Sequence, residues 1–149
     1  MDRLAPHDPQ MPCYCNSGRT FLDCCHRFLS GRVYPGVPEA LMRARYSAYV
    51  VGDAEFIRST WSERTRPDVV HLDPTVTYTR LEVHSTIGGP FDVEGKVHFT
   101  AYYEVHLPHQ DLSKEPPEKY SMTEFSIFDR DPVTNRWQYL EGEVSEKRL

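Results

Sequence analysis

No apolar run in this chain approaches the roughly 18 residues of a membrane-spanning helix. The first ten residues are polar and proline-bearing, without the apolar centre of a secretory signal. The expectation is therefore a soluble, cytoplasmic protein with no membrane partner, held where thiols stay reduced. Basic charge is also in short supply. Against 22 acidic side chains stand 17 lysines and arginines, a net charge of −5. That balance gives no general pull towards phosphate backbones, and nucleic acid enters as a partner only through a ribonucleoprotein. Catalytic signatures are missing as well: there is no G-x-S-x-G and no H-E-x-x-H, and Gly88-Gly89 runs into Pro90 without phosphate-cradling spacing. A length of 149 residues suits one compact domain with a small appendage, and no second full core.

Cysteine is scarce but concentrated. The four cysteines fall as Cys13-x-Cys15 and, eight residues later, Cys24-Cys25, with His26 directly after. Four soft ligands in so short a segment are what a closed tetrahedral zinc site requires, because thiolates bind zinc at about 2.3 Å and four of them leave no open position. Asn16-Ser17-Gly18 supplies the reversal, with Gly18 able to take positive φ. One or two helical turns over residues 19–25 then bring the vicinal pair, at that helix's end, back onto the first pair. The rival readings are a disulfide framework, which would crowd two bonds into one tight turn, and a redox dithiol, whose usual C-x-x-C spacing is absent. Cys24 with His26 could also close a tetrahedron.

In chain order, residues 1–10 read as a flexible leader, and Gly31, Pro35 and Gly36 mark a linker over residues 30–37. Pro38 and Glu39 suit a helix start, and residues 39–51 carry Leu41, Met42, Arg45, Tyr46, Ala48 and Tyr49 at spacings of three and four. Gly52 ends that helix and Asp53 caps a second over residues 54–61. Residues 62–74 read as loop. Strands follow at residues 76–86, 96–107, 120–129 and 136–140, the second alternating apolar with wet positions. After them come Gly142 and a charged tail. This order is α+β: two to three helices packed on a curved, mostly antiparallel sheet.

Cys13-Tyr14-Cys15-Asn16-Ser17-Gly18, then Phe21 and Cys24-Cys25, resembles the SEC-C zinc knuckle, with Tyr14 for its usual proline and Asn16 for its usual glycine. Glu39-Ala40-Leu41-Met42-Arg43-Ala44-Arg45-Tyr46-Ser47-Ala48-Tyr49-Val50, Gly52-Asp53 and Thr60-Trp61 are similar to the helices of the bacterial YchJ family. Val97-x-Phe99-x-Ala101-x-Tyr103, Glu124-x-Ser126-x-Phe128 and Arg136-Trp137-x-Tyr139-Leu140-x-Gly142 are similar to its strand motifs. After the leader (1–10), which departs from the family's compact pattern, the resemblance implies an SEC-C-like knuckle (11–32) with Cys13, Cys15, Cys24 and Cys25 on Zn2+, and a cone-shaped nuclear-transport-factor-two-like domain (37–149). Domains of that superfamily often dimerise through the sheet face, so a homodimer is expected there.

A cone can enclose a pocket. If Phe128 points inward, the period of two carries Glu124 and Ser126 with it, and Arg43, Arg45 and Tyr46 from the first helix can meet them. The pocket expectation is Arg43, Tyr46 and Glu124, set against a plain reading in which Glu124 pairs with Arg43 or Arg45. Trp61 and Trp137 are expected in the core, and His98 and His106 on the wet face. No catalytic residue emerges. The favoured function is a zinc-stabilised module presenting Tyr14, Arg19, Phe21 and Arg27 to a protein partner, ribosome- or translocation-associated. The alternative is a small-molecule binder or a lyase- or isomerase-like enzyme working inside the cone.

Overall fold

The computed structural model describes residues 8–109, 111 and 113–149, so most of the expected leader lies outside the described residues. The elements run α1 (His26–Leu29), α2 (Pro38–Val51), α3 (Ala54–Ser59), β1 (Val76–Ile87), β2 (Glu94–Val105), β3 (Glu118–Arg130) and β4 (Trp137–Arg148).

Local chemistry sets the helix bounds. Val37 is extended, as a residue before proline must be, and Pro38 occupies the first turn, where its missing N–H costs nothing. Gly52 takes φ 79° and closes α2. The Asp53 carboxylate then accepts the Phe56 amide at 3.0 Å, capping α3.

The sheet is an antiparallel meander, β1-β2-β3-β4. Register slips at Thr79, His84 and Leu140 leave one extra residue on an outer strand each time. Such bulges bend a strand and raise its twist, and here they curl the sheet towards α2, which lies against β1, β2 and β4. Gly95 permits the closest approach: a Cβ there would collide with the Pro38 ring and stand 2.8 Å from the Ile87 carbonyl.

One core runs through the molecule. Cys13, Cys15, Cys24, Cys25 and Phe21 belong to the same buried cluster as Leu41, Val97, Phe128 and Trp137. The knuckle is packed into the sheet-and-helix layer and has no core of its own.

Three expectations need correcting. The vicinal cysteines precede the helical turn instead of ending it: residues 21–25 form successive turns in which the Phe21 carbonyl accepts from Cys24 and His26 at 3.2 and 3.0 Å. The last strand does not stop at residue 140 but continues to Arg148, pairing Glu141–Arg148 with Ile127–Tyr120. As an edge strand with an exposed outer half, it carries the charged side chains that protect an edge, which gave it the look of a tail. Trp137 is fully buried, but Trp61 is only half-buried.

Candidate functional site

The knuckle is built from a hairpin. Pro12 and Thr20 form an antiparallel bridge, and Cys13 and Phe21 donate to the Arg19 and Met11 carbonyls. The reversal between them takes two left-handed residues, Asn16 (φ 61°) and Gly18 (φ 88°). It carries the first cysteine pair to the second: the four Sγ atoms lie within 4.8 Å of one another, with Cys15 and Cys24 at 3.6 Å. Four sulfurs at about 2.3 Å from one ion would stand about 3.8 Å apart in a tetrahedron. The observed spread therefore fits a closed four-thiolate metal site. His26 is not in this set; its ring packs edge-on to Phe21 at 5.3 Å.

All four cysteines are at most 6% exposed. In such a crowd the thiols cannot ionise alike. Hydrogen bonding with Cys13 chiefly lowers Cys15 and brings Cys24 down to about 6, while Cys13 rises mainly through Cys15 and Cys25 through Cys13. A dication removes the conflict by letting all four be thiolates. Around the sulfurs, Ser17 Oγ donates to Cys24 at 3.2 Å, and Ser47 Oγ on α2 lies 3.9 Å from Cys13. Two further bonds tie the knuckle to the rest of the chain. Asn16 Oδ1 accepts the Leu81 amide of β1 at 2.8 Å, and Arg43 Nη1 donates to the Cys15 carbonyl at 2.7 Å.

Between α2 and the concave face of the sheet lies a second feature, a cavity of about 310 Å³. The stripe Met42, Arg45, Tyr46, Tyr49 lines it at i, i+3, i+4, i+7. Glu124 enters from β3, 8% exposed, its Oε2 accepting from Ser126 Oγ at 2.5 Å. Tyr139 on β4 is pushed upward by burial, then by the charge and hydrogen bonding of Glu124. Arg45 is buried and its pKa is drawn down by desolvation. Its Nη1 donates to the Ile57 carbonyl at 2.6 Å and to Thr60 Oγ1 at 2.7 Å, and its guanidinium lies over the Tyr139 and Trp61 rings.

Of the expected pocket residues, Tyr46 and Glu124 line the cavity and Arg43 does not. Positions two apart on a helix face different ways, so Arg43 turns to Cys15 and to Glu39 at 2.9 Å while Arg45 turns inward.

Comparison with known proteins bears on the family and on the knuckle. A family model described as "YchJ, middle NTF2-like domain" matches residues 37–142. A UPF0225 protein from Corynebacterium efficiens is 36% identical over 142 residues, covering 95% of this chain and 99% of the relative. The chain belongs to the YchJ (UPF0225) family. A UPF0225 protein from Streptomyces coelicolor is 38% identical over 136 residues, 91% of this chain and 97% of the relative. Among solved structures, a SEC-C motif containing protein from Rhodopseudomonas palustris superposes with a TM-score of 0.71 at 29% identity, covering 89% of this chain and 98% of that one. A sec-c motif containing protein from Psychrobacter arcticus shares the fold at a TM-score of 0.66 and 22% identity, over 91% and 82% of the two chains.

Among the residues of this YchJ-family chain that the pocket expectation left out are Tyr49, Tyr139 and Gly142. Tyr49 was recoverable, because it sits one helical turn from Arg45 and Tyr46 on the same stripe. Gly142 was not: a Cβ there would collide with the Glu124 carboxylate, 2.8 Å from its Cδ, a fact of β3–β4 register. Gly142→Ala is expected to cost about 1–3 kcal/mol by overpacking in a denaturant titration. The cost should vanish when Glu124 is already alanine, and equal costs in the two backgrounds would refute the contact.

Proposed function

We propose that the metal is Zn2+, held by Cys13, Cys15, Cys24 and Cys25 in a purely structural role, and that the chain is a zinc-clasped interaction module. The carrying observation is the closed, buried set of four sulfurs. It leaves no coordination position for substrate or water.

Zinc suits four thiolates in tetrahedral array better than harder cations would. When bound, it supplies a cross-link between the two ends of the knuckle. The chain's own residues extend that link into the fold, Asn16 to β1 and Arg43 to the Cys15 carbonyl.

A docking surface lies beside the clasp. Arg19, Arg27 and Arg43 line a groove of about 320 Å³ between the knuckle and the start of α2. Its acid, Glu39, is already paired with Arg43. An acidic segment of a protein partner complements that groove despite the chain's overall negative charge. Phe21, named above with the presented residues, is fully buried and leaves this surface basic.

Purified protein is expected to carry one zinc per chain and to bind a fluorescent glutamate-rich peptide more weakly as salt rises. Arg19→Glu should weaken that binding by about fivefold or more with zinc retained, and Glu124→Gln should leave it unchanged. Equal binding by wild type and Arg19→Glu would sink the reading.

A further inference from the structure

Glu124 is a buried carboxylate that shares its cavity wall with Arg45 but forms no direct ion pair among the described residues. Oε2 accepts a hydrogen bond from the Ser126 hydroxyl, and Arg45, in the same wall, spends Nη1 on Ile57 and Thr60. Among the described residues no ion pair within 4.0 Å joins Arg45 to Glu124. A carboxylate taken out of water needs its oxygens hydrogen-bonded. Ser126 and Tyr139 are its hydrogen-bonding neighbours, and with about four acceptor positions on two oxygens it keeps room for a further donor. Here the fold makes special room for it, through the missing Cβ of Gly142, and places it on the cavity wall.

The rest of the wall defines what the carboxylate could meet. Tyr46, Tyr49, Tyr78 and Phe99 give it flat aromatic surface, and Met42 and Met122 give it adaptable apolar surface. Burial raises the pKa of Tyr46, Tyr49 and Tyr78, Tyr78 to about 12, so all three hydroxyls remain donors at neutral pH. The volume, about 310 Å³, lies at the small end of the range for ligand sites, roughly 300–1,000 Å³.

Charge chooses between an organic cation and a neutral ligand. Arg45 and Glu124 stand in the wall of the same cavity and are its two charged side chains, so the lining is close to neutral overall. A second cation would leave an excess positive charge in a low-dielectric site. A neutral N–H donor satisfies the carboxylate without that penalty.

From this geometry we infer that the cavity is a binding site for a compact, neutral, planar molecule of the lactam or N–H heteroaromatic class, with its N–H on Glu124 and its ring among Tyr46, Tyr49 and Phe99. This site is separate from the knuckle groove. Arg43 serves one side of α2 and the stripe Met42, Arg45, Tyr46, Tyr49 the other, so either site can fail without the other.

The test uses the zinc-loaded full chain and three probes: 2-quinolinone, its N-methyl derivative and benzylammonium, titrated by calorimetry at neutral pH. The 2-quinolinone is expected to bind at least about tenfold more tightly than either of the others, as one charge-assisted hydrogen bond implies. Glu124→Leu should lose that margin with zinc content and melting temperature retained. If that variant does not fold, Met122→Trp, which fills the cavity, should abolish 2-quinolinone binding instead. The inference is overturned by equal affinity for the N-methyl derivative, by tighter binding of benzylammonium, or by no saturable binding of 2-quinolinone to the folded wild type.

Discussion

Removing the metal should destabilise the whole molecule, not only its first thirty residues. The four cysteines and Phe21 share one buried cluster with Leu41, Val97, Phe128 and Trp137, and Asn16 supplies the acceptor for a β1 amide. Loss of the ion leaves four crowded thiols that cannot ionise alike, and the hairpin that carries Asn16 loses its cross-link. Binding of structural zinc in small finger peptides is worth about 10–16 kcal/mol at neutral pH, as large as the whole stability of an ordinary domain, about 5–15 kcal/mol. Even a third of that would lower the melting temperature by about 10–20 °C in a chain of this size. The same fall should follow chelation, Cys25→Ser, or acidification that protonates the thiolates. The direction with pH is fixed by the ligands: metal-bound thiolates have a depressed proton affinity, so their contribution is present at neutral pH and lost as pH falls. Calorimetry with and without chelator, together with hydrogen exchange at the Leu81 amide, checks it. An unchanged melting temperature, with exchange accelerated only in residues 11–32, would show a knuckle independent of the core.

What could be read from the sequence, and what could not, follows the range of the forces involved. The ends of α2 are set by Pro38, Gly52 and Asp53, each acting within four residues of itself, and all three were legible. So were the ligand spacing in the knuckle and the inward period of Glu124, Ser126 and Phe128, which depend on backbone repeat alone. The second half of β4 was not: its side chains carry no buried face, and only the hydrogen bonds offered by β3 make it a strand. The choice between Arg43 and Arg45 was likewise undecided locally, because both lie on one helix and the knuckle and sheet determine which faces which. Gly142 was placed only between the last expected strand and a charged tail, yet its missing Cβ clears the carboxylate of a neighbouring strand.

Trp137→Ala should be the most damaging single substitution outside the metal centre. The side chain is the largest of those fully buried, at 1% exposure. Its indole N–H donates to the Gly36 carbonyl at 3.1 Å, and its own carbonyl accepts the Tyr34 hydroxyl at 2.9 Å. The residue thus pins the linker between knuckle and α2 to the first position of β4, more than a hundred residues away in the chain. Arg130 also stacks on the ring, 4.5 Å from its centre. Truncating a buried tryptophan costs about 3–5 kcal/mol, or roughly 6–20 °C in melting temperature. Trp137→Phe separates the two contributions: it keeps most of the packing but leaves the Gly36 carbonyl without its donor, for about 1–3 kcal/mol. In both variants the folded fraction should still hold its metal, since no sulfur or sulfur neighbour is touched. Melting curves paired with metal content measure this directly. A drop below about 1 kcal/mol for Trp137→Ala would show that the linker is held by something other than this side chain.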